Sequence, residues 1–227
     1  MNFPYLKICL PMVVLCLAAA NANAQRTRVS EPDFAKLSND KKVKPVNREM
    51  SLSTEADYKN GIHLNEQPGV GVTWLPKPTF SNGTIEFDVK GKDVPQQSFV
   101  GIAFHGKNDS TYDAVYFRPF NFKSSDTARK NHSVQYIAMP LYDWPTLRSR
   151  HPGVYEDSLY DAPDPNGWFH VSILIQSPTI SVFVNRNKKA SLVVKKLNER
   201  NDGKIGFWVG NGSGGDFANL KLTEMME

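Results

Sequence analysis

From Glu49 onward apolar and polar residues alternate along the chain, and Gly, Pro, Asn and Asp interrupt the alternation every few residues. IHL follows Asn60-Gly61, GVGVTWL runs up to Pro76, TIEFDV follows Asn82-Gly83, and SFVGIAF leads into His105-Gly106. TYDAVYFRP, HSVQYIAMP, WFHVSILIQ, ISVFVN, ASLVVKKL, GKIGFWVG and DFANLKLTE continue the series. Period-two alternation buries one face of an extended strand and leaves the other wet. The pattern therefore predicts about eleven short strands and no sustained amphipathic helix, which is an all-β sandwich or barrel.

One stretch breaks the rhythm. Between Pro119 and Gly167 only HSVQYIAMP reads as a strand, and the rest, including PLYDWPTLRSRHPGVYEDSLYDAPDPNGW, is irregular and rich in Tyr, Trp, Arg and Pro. Long irregular segments inside a compact domain are usually functional or disordered. Tyr142, Trp144, Tyr155 and Tyr160 carry too much apolar surface to stay solvated, so an ordered loop lying on the sheet is expected.

The amino-terminal residues change the picture of where the protein works. Lys7 precedes an apolar run from Ile8 to Ala20, and Ala22-Asn23-Ala24 forms a small-residue cleavage site. This is a secretory signal peptide over 1–24, too short to span a bilayer, so an exported, soluble protein in the periplasm or outside the cell is expected. Both cysteines, Cys9 and Cys16, lie in that segment, which leaves the remainder without disulfides, thiolate metal sites or a cysteine nucleophile. The full chain has a formal charge of +4, and loss of Lys7 brings it to +3. Such a balance gives no reason to expect a nucleic-acid partner. Residues 25–48, with Lys41-Lys42-Val43-Lys44 among Pro and Asn, read as a leader before a domain at 49–227.

Several chemistries find no motif. The five histidines lack metal-ligand spacing, GNGSGG lacks the glycine a nucleophile elbow needs before its serine, and no helix follows Gly69-Val70-Gly71 to cradle a phosphate. In NGTIEFDVKG, strand geometry sends Ile85, Phe87 and Val89 to one face and Glu86, Asp88 and Lys90 to the other. Residues two apart on a strand stand roughly 6.7 Å apart at Cα, so Glu86 and Asp88 are a geometrically possible acid/base pair, with His105 as a helper. This strand resembles the active-site strand of laminarinase and lichenase glucanases, although Lys90 stands at that family's second glutamate. Mixed charges on an outward strand explain the same letters.

Aromatic and planar polar residues gather further along. Tyr116 and Arg118 share a face in AVYFRPF, Gln135 or Tyr136 turns outward in HSVQYI, and Trp144 and Arg148 follow in DWPTLRSR. Sugar rings stack on aromatic faces while their hydroxyls take paired hydrogen bonds, so these six residues are the candidate carbohydrate contacts. The same arginines and tryptophan also suit a plainer task, pinning the loop to the sheet.

From Gly61 to Leu222 the succession of strands resembles the concanavalin A-like lectin/glucanase jelly rolls of exported bacterial proteins, in particular laminin-G-like and 3-keto-disaccharide hydrolase-like domains. Gln135 matches the glutamine of the latter family's Tyr-Glu-x-Gln strand, with Ser133 in place of its glutamate, and Phe217 with Asn219 matches its closing strand. The resemblance implies a two-sheet antiparallel jelly-roll sandwich that binds a glycan on its concave face. Hydrolysis or lysis of a sugar derivative, or binding of an envelope protein, are the alternative functions. It also raises a structural calcium, with Asp216 and Asn219 as oxygen donors, but the sequence supports no metal or cofactor. Oligomeric state is left open.

Overall fold

The computed structural model describes residues 26–58 and 60–226. The segment 1–24 expected to be a signal peptide, with Cys9 and Cys16, lies outside the described residues. In chain order the elements are β1 (Thr27–Ser30), α1 (Phe34–Asn39), β2 (Pro45–Val46), β3 (Met50–Leu52), β4 (Ile62–Leu64), β5 (Gly71–Trp74), β6 (Gly83–Lys90), β7 (Val100–Asn108) and β8 (Thr111–Phe117). They continue as α2 (Thr127–Lys130), β9 (Val134–Ala138), α3 (Trp144–Arg150), β10 (Glu156–Asp157), β11 (Trp168–Gln176), β12 (Thr179–Val184), β13 (Leu192–Lys195), β14 (Lys204–Val209) and β15 (Gly215–Met225).

Two antiparallel sheets pack face to face, as the alternation predicts. The eight-stranded sheet runs β13-β12-β11-β6-β15-β4-β3, with β1 paired to β15. The seven-stranded sheet runs β10-β9-β8-β7-β14-β5-β2. In β6 the expected faces hold: Ile85, Phe87 and Val89 are buried, while Thr84, Glu86 and Asp88 are half-buried on the outer side. Phe169, Val171, Ile173 and Ile175 of β11 and Ile180, Val182 and Val184 of β12 complete the same inner surface. Phe104, Val115, Phe117, Tyr136 and Phe207 face them from the other sheet. In β15 the inward face passes from Phe217 to Leu220, a step of odd parity, because the pairing with β6 slips between Ala218 and Lys221. Asn219 sits in that bulge with a φ of 53°, a left-handed conformation that Asn tolerates better than most residues.

The seven-stranded sheet departs from one-sided alternation. Its central strands are buried on both faces, because Val72, Trp74, Ala103, Tyr112, Ala114, Tyr116, Ile137 and Trp208 form a smaller apolar cluster on the outer side. Leu147 of α3 packs into that cluster, so part of the irregular 119–167 stretch roofs this face. The loop is thus ordered, and it contributes α2, α3 and β10.

Residues 27–48 are built into the sandwich, which corrects their reading as a leader. β1 adds a strand to β15, β2 adds one to β5, and Phe34 is buried against Phe207 at a ring distance of 5.2 Å. The buried Arg48 donates to the carbonyls of Gly69, Gly210 and Ser213, at 2.8, 2.7 and 3.2 Å. The lysine run misleads because its one apolar member, Val43, turns inward while its charges stay wet. Phe34→Leu is expected to lower stability by roughly 1–2 kcal/mol in urea unfolding, where a true leader residue would change nothing.

Candidate functional site

The outer face of the seven-stranded sheet carries a cleft of 430 Å³. Its floor comes from three neighbouring strands in register: Trp208 of β14 lies opposite Gly101 of β7, which lies opposite Tyr116 of β8. A Cβ at Gly101 would stand 2.7 Å from that of Tyr116, so the glycine lets the two flanking rings close over it. Tyr116 and Trp208 meet at a ring distance of 4.8 Å, tilted by 36°. Trp208 Nε1 donates to Tyr112 Oη at 3.1 Å, which fixes the indole. Phe99 stands edge-on to Tyr116 at 6.2 Å and borders the cleft.

The opposite wall is α3. Asp143 caps it by accepting from the Thr146 backbone N–H at 3.0 Å, Leu147 anchors it to the sheet, and Trp144 and Arg148 follow one turn apart on the cleft side. The Arg148 guanidinium lies 5.1 Å from the Trp144 ring centre, a cation–π contact that orients an indole still 48% exposed.

Beneath the rim sits a polar knot. Arg118 donates through Nη2 to Tyr116 Oη at 2.7 Å and to Gln135 Oε1, and through Nη1 to the His132 carbonyl at 2.9 Å. Tyr116 Oη also donates to Gln135 Oε1 at 2.8 Å. β10 sets Glu156 directly opposite Gln135, and Arg148 grips its carboxylate with two hydrogen bonds of 3.0 and 2.7 Å. Arg118 Nη1 is 3.7 Å from the same carboxylate, and His132 Nδ1 approaches to 2.8 Å out of line for a proper hydrogen bond. Burial pushes the Glu156 carboxyl up, but the two arginines and His132 outweigh it and hold it below the usual range. Burial pushes the Tyr116 phenol up to about 12 and His132 down, so both stay neutral near pH 7.

Four of the six expected contacts, Tyr116, Arg118, Trp144 and Arg148, meet at this cleft, and Gln135 supports two of them from below. Tyr136 does not: strand parity turns it between the sheets, where its Oη donates to Asp113 at 2.6 Å. Glu86 and Asp88 lie on the outer face of the other sheet, across the core from the cleft. There Asp88 contacts His170 Nδ1 at 2.7 Å and accepts from Asn219 Nδ2 at 2.6 Å. Burial raises its carboxyl and these contacts more than offset that, so Asp88 titrates low, contrary to what a general acid needs. His105 is buried on the seven-stranded sheet, with Nε2 2.9 Å from the Ser81 carbonyl, and cannot assist either carboxylate. Of the two calcium candidates, Asp216 is paired with His63 at 2.7 Å and Asn219 with Asp88. A depression of 320 Å³ opens near Asp33 and Asn219, but its one aromatic, Phe34, is committed to the core.

Glu156, Trp208, Tyr112 and Phe99 were not among the expected residues. Parity along TYDAVYF and KIGFWV would have put Tyr112 and Trp208 on the Tyr116 face, whereas nothing in VYEDS marks Glu156 as the carboxylate under two arginines.

No family model and no curated protein matches the chain. Among solved structures it is similar to the carbohydrate binding module CBM66 from Bacillus subtilis, with 13% identity over 79% of this chain and 94% of that one, at a TM-score of 0.54. A Bacillus subtilis protein of unknown function with a galectin-like fold gives 11% identity, 86% and 94% coverage and a TM-score of 0.56. The Ca2+/Man3GlcNAc-bound exoplasmic/lumenal domain of VIP36 gives 9% identity, 82% and 84% coverage and a TM-score of 0.54. Two antiparallel sheets packed face to face, together with the likeness to these structures, make the fold a concanavalin A-like jelly roll.

Proposed function

We propose that this is an exported carbohydrate-binding jelly roll whose ligand occupies the cleft between the Tyr116–Trp208 floor and α3. One observation carries the reading: an aromatic floor and a half-exposed Trp144 face the same cavity as two arginines already held in place by buried partners. Sugar C–H faces stack on such rings, and preset planar donors meet hydroxyl pairs with little ordering cost. A carbohydrate binding module and a glycan-bound domain among the similar folds support the same class of ligand. The export signal read in residues 1–24 supports a place outside the cytoplasm. A hydrolase finds less support, because Glu86 and Asp88 lie on the other sheet and Glu156 is tied to Arg148.

Calorimetry against plant, algal and host polysaccharides tests the proposal. At least one glycan is expected to bind, and Trp144→Ala to weaken it about tenfold, equivalent to about 1.4 kcal/mol. Glu86→Gln and His170→Ala are expected to leave binding unchanged. Absence of binding to every glycan, together with recovery of a stable protein partner, would replace this reading with a protein-interaction module. Binding lost in the Glu86 or His170 variants alone would move the site to the opposite sheet.

A further inference from the structure

The cleft continues into a recess of 270 Å³ whose chemistry is different. Gln96, Arg118 and Arg148 line both cavities, and Asn121, Arg129 and His132 line the recess alone. The larger cleft has Asp143 on its wall, but among the described residues no carboxylate lines the recess. Three guanidiniums therefore border it. The carboxylates near them are Glu156, buried behind the wall and already shared by two arginines, and Asp126, 3.9 Å from Arg129 in an exposed pair. Exposed pairs at such distances neutralise each other weakly. The Arg118–Arg148–Glu156 knot itself keeps two positive charges for one negative. His132 adds no positive charge near pH 7, since burial lowers its pKa.

An excess of positive charge in a partly closed recess is stabilised by an incoming anion, and planar guanidiniums suit carboxylate and sulfate oxygens in particular. Neutral sugars would leave that charge uncompensated. Resting on the glycan reading above, we infer that the ligand is an acidic glycan, its ring on the Tyr116–Trp208 floor and its carboxylate or sulfate group in the Arg118–Arg129–Arg148 recess.

The experiment compares matched pairs by calorimetry: a galacturonate oligomer with its carboxyl-reduced neutral form, and a sulfated galactan oligomer with its desulfated form. At least one acidic form is expected to bind tenfold or more tightly than its neutral partner, and which pair shows the gap identifies the anion. The gap is expected to narrow as salt rises from 50 to 500 mM, because screening shortens to a few ångströms. Arg129→Glu places an opposite charge at the recess on an exposed side chain, and it is expected to erase the gap between acidic and neutral forms. Equal affinity for both members of each pair, or a gap that survives Arg129→Glu, overturns the inference while leaving the glycan-binding cleft standing. Failure of all four oligomers and of every polysaccharide to bind overturns the cleft itself.

Discussion

Replacing Glu156 with alanine is expected to cost about 3–5 kcal/mol of folding free energy and to abolish glycan binding. Its carboxylate is 4% exposed and is the one anion against which Arg148 and Arg118 are set, by two hydrogen bonds and a 3.7 Å approach. Taking it away strands Arg118, itself 4% exposed, without a counter-charge. It also frees Arg148 to swing from under Trp144, so stability and binding fall together. Urea unfolding and calorimetry on one preparation check both. The effect weakens in acid: the Glu156 pKa is lower folded than unfolded, so its stabilisation is complete above the unfolded value and lost as pH falls through the folded one. A loss below 1 kcal/mol at pH 7 would show that the arginines reach water once released.

Asp113→Ala is expected to be similarly damaging, about 3–5 kcal/mol, with no direct contact to the cleft. Asp113 is fully buried between the sheets, where it accepts from Tyr136 Oη at 2.6 Å, Asn198 Nδ2 at 2.7 Å and Arg200 Nη2 at 3.2 Å, with His105 Nδ1 3.5 Å away. Burial raises its carboxyl, yet these neighbours prevail and hold it below its ordinary 3.8. A folded pKa below the unfolded one means the carboxylate stabilises fully above the unfolded value, near 4, and progressively less as pH drops toward the folded value. Denaturant titrations of wild type and variant should therefore differ by a constant amount at neutral pH and converge in acid. Any surviving fold of Asp113→Ala is expected to bind glycan as wild type does, which separates it from Glu156→Ala.

These two residues show where the sequence was legible and where it was not. Alternation in TIEFDV placed its inward side chains, because one wet face enforces period two, and WFHVSILIQ buries alternate side chains by the same rule. It could not place Asp113 or Tyr136, since β8 and β9 are apolar on both faces and parity no longer distinguishes core from cleft. Tyr116, Arg118, Trp144 and Arg148 could be grouped from the sequence because they are aromatic and planar cationic residues on or beside one long loop, and the structure brings them to one cleft. Glu156 escaped because its partners are 8 and 38 residues away, and only folding brings them to one carboxylate. Phe34 escaped for the opposite reason: short strands beside a lysine run look like solvated chain until β5 and β15 offer them an edge.

That edge also fixes how the molecule can be held. Thr27 pairs with Met225, so these two positions lie side by side on the eight-stranded sheet, while the cleft opens from the seven-stranded one. A fluorophore, a bead or a second domain joined near residue 26 or residue 226 would sit behind the sandwich, leaving the Tyr116 side turned outward toward whatever surface is being sampled.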